Sequence, residues 1–443
     1  MKTDFPIARL SDVAEVRSGF AFKSSDMGES GVPLIKIKNI TPPTVDVRDV
    51  ERVPDEAIRG IPRAERYRLE HRDILVAMTG ATVGKVGRFP RTEEAFYLNQ
   101  RVGKVYLKDA NAADYDFLYY VLAQPHYVEQ MFGLADGSAQ ANISGSQIER
   151  LEIPLAPLPE QRAIAHILGT LDDKIELNRR MSETLEAIAR ALFKSWFVDF
   201  EPVLAKAAGR DPGLPQPLAD LFPDRLVDSE LGEIPEGWGF RTVEDVCSTV
   251  TRGVTPKYEN GSGRFIINQA VNRGVQLDWT ELKELSCALD VSADRYAKRW
   301  DVLVNCLGEG TLGRVHLFKG KSDIYAIDQH MSVCRGITPG VGAYLYQVLA
   351  SSNGQEKIES LKTGSTGMTM LNISKLRRFD VLWPGDVLIK EFFWVVEPAL
   401  TRVADNEEQS RTLAALRDTL MPKLISGELR IKDAEKFLGR ADI

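Results

Sequence analysis

Histidine and cysteine are scarce in this chain of 443 residues, and their spacing argues against several kinds of site. None of the five histidines forms an HxxxH or HExxH pair, so the chain has little from which to build a metal centre or a Ser-His-Asp triad. The four cysteines, Cys247, Cys287, Cys306 and Cys334, have no CxxC spacing, which argues against a zinc site or a disulfide framework. We predict that they are small buried side chains.

Long apolar runs are also absent. No stretch reaches the roughly 18 consecutive apolar residues of a membrane span, and the opening MKTDFPIARLSDVAEV lacks the apolar core of a signal peptide. We therefore expect a cytoplasmic protein without a membrane partner. With 44% hydrophobic residues and no low-complexity run, the chain is long enough for two or three ordinary cores.

Motifs for nucleotide binding and catalysis are incomplete. Residues 80–85, GATVGK, have one residue too few between the glycines for a phosphate loop, and no Ser or Thr follows the lysine. The matching GEGTLGRV at 308–315 has the right gap but carries Arg314 instead of lysine. We interpret both as glycine-permitted turns between strands, whose Lys85 and Arg314 can touch a phosphate. ITPPT at 40–44 is not the motif of amino-methylating enzymes, and no catalytic constellation emerges.

The net charge of −7 is unfavourable for binding nucleic acid, because phosphate contacts need Lys and Arg. Two local stretches nevertheless combine basic and aromatic residues, IRGIPRAERYRLEHR at 58–72 and ADRYAKRW at 293–300. Each contains an Arg-Tyr pair, Arg66-Tyr67 and Arg295-Tyr296. These pairs suit either a DNA backbone contact or an aromatic core anchor beside a solvated arginine, and both interpretations stay open.

Two matched helical segments organise the chain. Adding 228 to the numbers of residues 158–200 returns the same residue types at many positions, as with Asn178 and Asn406. Apolar residues recur three and four apart in both segments, which predicts a seam facing a partner helix, each helix being the obvious partner of the other. Two unrelated amphipathic core helices would share no such register. The predicted seam residues are Leu168, Leu171, Ile175, Asn178, Leu185, Leu192, Val396, Val403, Asn406, Leu413 and Leu420.

The segments that precede the helices repeat as well. Residues 10–19, 65–86, 97–102 and 137–144 correspond to 243–253, 294–315, 326–331 and 364–374. Short β-branched runs predict strands, so we expect an α+β fold. It would have two tandem strand-rich domains, each followed by a long α-helix, with the helices antiparallel and related by approximate two-fold symmetry. The predicted parts are a domain at 1–157, a helix at 158–200, a linker at 201–232, a domain at 233–384, a helix at 385–426 and a tail at 427–443.

Five segments occur in a specific order around this repeat. LPEQRAIAHIL, LDDKIELNRRM and LFKSWFVDFEP follow the first domain, GEIPEGW opens the second, and LMPKLISGEL ends the second helix. Together they resemble the specificity subunit of type I restriction-modification systems over nearly the whole chain.

The resemblance implies a non-catalytic reader of double-stranded DNA. Each domain would be a target recognition domain for one half of a split target, and the helices would set the gap and dock two modification subunits. The chain itself would hold no cofactor, because S-adenosylmethionine, ATP and Mg would be bound by the modification and restriction subunits. The alternatives are a specificity subunit of a modification-only or phage-defence complex, which neighbouring genes would identify, a nuclease or NTPase, and a coiled-coil scaffold without DNA contact.

Differences between the two copies indicate candidate base contacts. If the domains read different half-sites, shared residues build the fold or hold phosphate, whereas the divergent segments 19–46 and 251–278 and the loops 135–144 and 362–374 specify bases. Gln100 and Gln329 suit adenine edges, but because both copies keep them we favour a structural role. The candidates are Lys23, Ser24, Lys36, Lys38, Asn39, Ser138 and Gln140 in the first domain, and Lys257, Tyr258, Asn268, Gln269, Asn272, Arg273, Ser365 and Thr366 in the second.

Overall fold

The computed structural model describes residues 4–136, 141–229, 232–308, 310–363 and 369–434. The chain divides into two compact units, the first formed by Met1–Glu176 with Ser410–Ile443 and the second by Leu177–Gln409. Each unit combines a strand-rich part with segments of two long helices.

The first unit is an α+β structure with two main sheets. Its strands are β1 (Ile7–Arg9), β2 (Ala14–Ser18), β3 (Val32–Ile35), β4 (Ile40–Thr41), β5 (Thr44–Val45), β6 (Glu51–Val53), β7 (Ile74–Ala77), β8 (Val86–Arg88), β9 (Tyr97–Leu98), β10 (Val102–Leu107) and β11 (Glu152–Pro154). Its helices are α1 (Leu10–Val13), α2 (Asp55–Arg59), α3 (Tyr115–Leu122), α4 (Pro125–Gly133), α5 (Gly145–Ile148) and the first part of α6 (Leu158–Phe197). The strand orders are β2-β10-β7-β8-β5-β4 and β6-β3-β9, and β1 pairs with β11.

The central strand β7 explains how this unit is layered. All four of its residues are buried, which is why they form a continuous apolar run instead of an alternating one. Ile74 and Val76 pack into the core that contains α3 and the start of α6, while Leu75 and Ala77 pack into the core shared with the second sheet. Successive side chains of a strand point to opposite faces, so β7 supports a layer on each side.

The second unit contains the remaining elements. Its strands are β12 (Leu226–Ser229), β13 (Gly232–Pro235), β14 (Gly239–Thr242), β15 (Cys247–Arg252), β16 (Phe265–Ile267), β17 (Lys283–Glu284), β18 (Val302–Asn305), β19 (Val315–Leu317), β20 (Tyr325–Ile327), β21 (Met331–Gly336), β22 (Lys362–Thr363), β23 (Met370–Leu371) and β24 (Asp380–Trp383). Its helices are α7 (Glu201–Ala207), α8 (Gln216–Ala219), α9 (Val243–Val246), α10 (Pro339–Ala350), α11 (Ser352–Ser360), α12 (Ile373–Arg377) and most of α13 (Asp386–Ser426).

The two units share one sheet topology. The order β15-β21-β18-β19 matches β2-β10-β7-β8, and β17-β16-β20 matches β6-β3-β9. In the smaller sheets the centre strand pairs antiparallel with one neighbour and parallel with the other in both units. The predicted α+β fold with repeated strand-rich domains and long helices is therefore confirmed.

A buried ion pair also recurs beside the central strand. Lys104 Nζ lies 2.6 Å from Asp73 Oδ2 in the first unit, and Arg335 Nη2 lies 2.7 Å from Asp301 Oδ2 in the second. Burial raises the pKa of both carboxyl groups. Each aspartate directly precedes the central strand of its unit, so the ion pair holds the start of that strand in the same way in both units.

The long helices run antiparallel within each unit. In the first unit, Asp172 of α6 accepts from Arg417 of α13 over 2.7 Å. In the second unit, Phe193 of α6 packs against Phe392 of α13 with ring centroids 6.2 Å apart, whereas the earlier Asn178 meets the later Asn406. Of the predicted seam, Leu168, Leu171, Asn178, Val396, Val403, Asn406, Leu413 and Leu420 are buried, and Ile175, Leu185 and Leu192 are half-buried.

The seam asparagines bond to the opposite helix. Asn406 Nδ2 donates to Ser182 Oγ over 3.3 Å and to the carbonyl of Asn178 over 3.5 Å, and Asn178 Nδ2 donates to Gln409 Oε1 over 2.8 Å. Asn406 is 2% exposed, so water cannot replace these bonds in a variant. This contact places a polar group at one defined height of the seam.

We expect Asn406→Ala to lower the free energy of unfolding by about 1–2 kcal/mol, because buried acceptors on α6 lose their donor. Urea denaturation followed by tryptophan fluorescence measures the loss. The exposed neighbour Asp405 provides the control, since its replacement by alanine is expected to change the stability by less than about 0.5 kcal/mol. Equal effects of the two variants would contradict a structural role for the seam asparagine.

The segment predicted as a linker at 201–232 contains α7, α8 and β12, and its Val203 and Phe222 are buried in the core of the second unit. Of the four cysteines predicted to be buried, Cys306 and Cys334 are buried and Cys247 is half-buried, but Cys287 is exposed because it follows β17 in a surface turn.

Candidate nucleic-acid interface

In the first unit, loops that are distant in sequence meet where strand β7 ends. The amide of Met78 donates to the carbonyl of Arg101 over 3.0 Å, and the carbonyl of Met78 accepts from the amide of Ile143 over 2.9 Å. A Cβ added at Gly80 would lie 4.0 Å from Ile37, so a further loop joins them. We call this group of segments, residues 36–39, 78–85, 99–101 and 141–143, loop cluster 1.

The second unit builds the same arrangement at the end of β18. The amide of Cys306 donates to the carbonyl of His330 over 2.8 Å, and the carbonyl of Cys306 accepts from the amide of Leu371 over 2.9 Å. Asn305 Nδ2 donates to the carbonyl of Gln269 over 3.1 Å. We call residues 268–273, 305–308, 310–314, 328–330 and 370–371 loop cluster 2.

Both clusters contain a glycine turn that leads into a strand. The amide of Gly84 donates to Ala77 over 2.9 Å, and the amide of Gly313 donates to Asn305 over the same distance. Gly84 has φ of +82° and a Cβ there would lie 2.7 Å from the carbonyl oxygen of Val128, so only glycine fits. Glycine at this point lets the turn lie directly against α4.

These turns are not nucleotide-binding loops. Residues 308–313 have GxGxxG spacing as well as the gap of a phosphate loop, but both motifs require a helix after the glycines. Here the chain continues into β19, and the turn of the first unit continues into β8. The turns therefore present side chains at a loop surface without a helix N-terminus behind them.

The basic residue after each turn lies at this surface. Lys85 is exposed, and among the described residues it makes no ion pair. Arg314 is half-buried, and its guanidinium donates to the carbonyl of Asn272 over 3.4 Å and to that of Gly310 over 3.1 Å. Both clusters thus carry a positive charge at the same place. Hydrogen bonds to backbone carbonyls hold Arg314 in the second cluster, whereas the exposed Lys85 has no ion-pair partner among the described residues of the first.

Three candidate asparagines lie inside the fold. Asn39 is 2% exposed and its amide donates to the carbonyls of Asp46 and Asp49. Asn272 is fully buried and donates to Asn305, while Asn268 Oδ1 accepts from the amides of Ala270 and Val271 in its own turn. The hydrogen bonds of these three side chains within the protein favour a role in loop structure, and their contact with bases stays a prediction.

The other candidates are at least partly accessible. Lys36 pairs with Glu51, Lys38 lies 3.5 Å from Asp49, and Arg273 lies 3.2 Å from Asp278. Four further candidates are exposed or half-buried, namely Lys23, Lys257, Tyr258 and Gln269. The side chain of Ser24 and the residues Ser138, Gln140, Ser365 and Thr366 lie outside the described part of the chain.

The two Arg-Tyr pairs combine both interpretations. Tyr67 packs against Phe20 with ring centroids 5.6 Å apart, and the hydroxyl of Tyr296 accepts from Arg264 over 2.8 Å, so both tyrosines support the fold. Arg66 is exposed above the ring of Tyr67, whereas Arg295 is half-buried. Arg66 is therefore the more accessible arginine of the two pairs.

Sequence reasoning missed Arg101 and His330, which the structure places in the centre of the two clusters. They directly follow Gln100 and Gln329, the residues that both copies share. The available signal was a shared residue followed by a divergent one, but only the strand pairing shows that the divergent residue meets the other loops.

Within the described ranges, no group of three or more His, Cys, Asp or Glu side chains is placed to hold a metal ion. None of the helices in the described part of the chain combines the length and the apolar character needed to cross a membrane.

Known proteins are similar to this chain in sequence and in fold. Residues 2–187 match the family described as the type I restriction modification DNA specificity domain. The chain is 26% identical to the type I restriction enzyme MjaIX specificity subunit of Methanocaldococcus jannaschii over 76% of this chain and 73% of that one. It is 24% identical to the HindI specificity subunit of Haemophilus influenzae, covering 72% and 79%.

A solved structure, the S subunit of a type I restriction-modification system from M. genitalium, has the same fold, with a TM-score of 0.57 at 15% identity and 96% coverage of both chains. Residues 2–187 thus match the DNA specificity domain family, and the proteins similar to this chain are type I specificity subunits, which confirms the resemblance found in the sequence.

Proposed function

We propose that this chain is the non-catalytic DNA-reading subunit of a type I restriction-modification complex, and that each unit reads one half of a bipartite target. The observation that carries the proposal is the recurrence of the loop cluster: the same loops meet at the same strand end in both units. Four sequence-distant loops on one sheet make a surface that can follow a groove and read several base edges.

The kept positive charge supports a division of roles within each cluster. Phosphate contacts position a protein on the duplex without reading sequence, so a phosphate anchor is expected at equivalent places in two readers of different specificity. Lys85 and Arg314 fit this role. Divergent neighbours in the clusters would then read the bases.

We expect Lys85→Ala and Arg314→Ala each to weaken DNA binding about equally for all sequences and to reduce the slope of log affinity against log salt by about 1. Binding isotherms of the assembled complex at several salt concentrations measure both quantities. Lys108 provides a matched control, because it is exposed at the opposite end of β10 from loop cluster 1. A change in base preference, or an equal slope change for Lys108→Ala, would contradict the assignment.

The long helices would set the distance between the two half-sites and dock the modification subunits. A helix of 40 residues is about 60 Å long, compared with about 34–36 Å between successive major-groove faces of one turn of DNA. We propose the predicted parts, from the domain at 1–157 to the tail at 427–443, as functional parts of this reader. Two modification subunits would supply S-adenosylmethionine and the methylation site, and restriction subunits would supply ATP- and Mg-dependent activity.

Selection from random duplex DNA tests the proposed function. The chain is co-expressed with its modification subunits, and the DNA retained by the complex is sequenced. Two short fixed blocks around a constant random gap are expected. A single continuous motif, or none at moderate salt, would contradict the bipartite reader. A split motif without ATP-dependent cleavage after addition of the restriction subunits would favour the modification-only alternative.

A further inference from the structure

Arg101 and His330 occupy equivalent places in the two loop clusters. Their carbonyl groups accept from the first residue after the central strand, over 3.0 Å for Arg101 and 2.8 Å for His330. The residue before each, Gln100 or Gln329, donates its amide over 2.8 Å to the loop that follows the first strand of the sheet. The backbone is therefore held in the same way in both units, while the side chain differs.

The side chain of Arg101 is poised to contact a ligand. Arg101 is exposed, and its own amide donates to the buried Asn99 over 3.3 Å, which fixes the start of the side chain. Within the described part of the chain, its guanidinium makes no hydrogen bond or ion pair. A guanidinium offers two parallel donors, which match O6 and N7 of guanine in the major groove.

His330 presents a different chemistry at this position. Its Nδ1 lies 2.8 Å from Oδ1 of Asp328, which also accepts the His330 amide and is 1% exposed. The carboxylate orients the imidazole and uses one ring nitrogen, so Nε2 is the nitrogen left for a partner. The position offers one hydrogen-bonding atom instead of a bidentate fork.

The residues in the loops around Arg101 and His330 also differ in polarity between the two clusters. In loop cluster 1, Thr79 Oγ1 donates to Asn142 Oδ1 over 3.1 Å. In loop cluster 2 the corresponding bridge joins Leu307 to Met370, and Met370 is 37% exposed. The first cluster is polar where the second is apolar, and apolar side chains in the major groove contact the methyl group of thymine.

We propose that Arg101 and His330 are specificity-determining residues. Arg101 reads a guanine in one half-site, and His330, in the cluster that also contains Leu307 and Met370, reads a base in the other half-site through a single hydrogen bond. The inference rests on the proposed function of the two units as half-site readers. A phosphate anchor would keep its charge in both copies, as Lys85 and Arg314 do, whereas this position changes from a guanidinium to an imidazole. The divergence therefore favours base reading.

The test compares the complex carrying wild-type chain, Arg101→Ala, His330→Ala or the control Lys108→Ala in selection from random duplex DNA. We expect Arg101→Ala to lose the preference for guanine at one position of one block by about tenfold or more. We expect His330→Ala to change one position of the opposite block. The gap and the remaining positions stay as in the wild type, and Lys108→Ala changes nothing.

Relative affinities for the selected duplex and for duplexes with one base pair changed give the second readout. Arg101→Ala is expected to bind the selected duplex and the duplex changed at the proposed guanine position about equally. If it weakens binding to all duplexes by the same factor, Arg101 is a phosphate contact and the inference is overturned. It is also overturned if both variants alter the same block. If the wild type selects no split motif, the proposed function itself fails, which the wild-type sample alone reveals.

Discussion

Replacing Lys319 by methionine is expected to destabilise the second unit by about 3–5 kcal/mol. Lys319 follows β19, and its side chain is 4% exposed. Its Nζ lies 3.2 Å from Glu186 of α6 and 3.5 Å from Glu407 of α13. Removal of the lysine leaves the two carboxylates without the ammonium group that joins them, and breaking a buried pair in this way costs far more than the pair contributes by itself.

The loss should depend on pH. Burial lowers the pKa of Lys319, but the charges of Glu407 and Glu186 outweigh this and raise it above its ordinary value. Burial raises the pKa of Glu186. A carboxyl whose pKa is higher in the folded state binds its proton more tightly there, so the variant's deficit is largest at neutral pH and shrinks as the pH falls toward the ordinary carboxyl range, near about 4–5.

Tryptophan fluorescence reports this measurement directly, because all six tryptophans lie between residues 196 and 394 and thus in the second unit. Lys321 provides the control. It pairs with Glu408 over 2.9 Å, but both side chains are more than half exposed, so Lys321→Met is expected to cost less than about 1 kcal/mol. A loss for Lys319→Met no larger than that of the control, or one that grows at acid pH, would contradict the burial argument.

Phe392→Ala is the second large expected loss, at about 3–5 kcal/mol. Phe392 of α13 is fully buried among aromatic rings of α6, with centroids 5.9 Å from Trp196 and 5.2 Å from Phe197. The contact with Phe197 is nearly perpendicular, at 87°, the edge-to-face arrangement that adds to the area buried. The neighbouring rings cannot close the cavity without leaving these positions.

Trp394 provides a control on the same helix. It is 75% exposed, so Trp394→Ala is expected to change the free energy of unfolding by less than about 0.5 kcal/mol, although more side chain is removed. Urea denaturation of both variants measures the difference. Similar losses for the two would mean that the aromatic contacts between the helices do not hold the second unit together.

The repeat and the helical seam were accessible from sequence because they depend on local periodicity. Asn178 and Asn406 stand at the same point of a three-and-four spacing in both segments, and both are buried. Arg417 shows the limit of this reasoning. It occupies a seam position, and its charge is balanced by Asp172, which also accepts from Tyr120 over 2.7 Å. No pattern in the sequence of α6 or α13 identifies Tyr120 of α3 as a further partner of Asp172.

The residues of the candidate interface also divide into those that the sequence identifies and those that only the structure places. Lys85 is exposed and Arg314 is half-buried beside a glycine turn, and the glycine spacing and the charge of both are visible in the sequence. Whether Asn39 and Asn272 bond within the protein depends on where a loop folds back on itself, because an asparagine amide can hydrogen-bond to a turn as well as to a base. Polar residue type alone does not separate these roles.

Segment exchange tests the central claim, that each unit reads one half-site, most directly. Residues 19–46 are replaced by the corresponding segment from a relative of different specificity, and the complex is taken through selection from random duplex DNA beside the wild type. One block of the split motif is expected to change, while the other block and the gap stay the same. A change in both blocks would contradict independent reading by the two units.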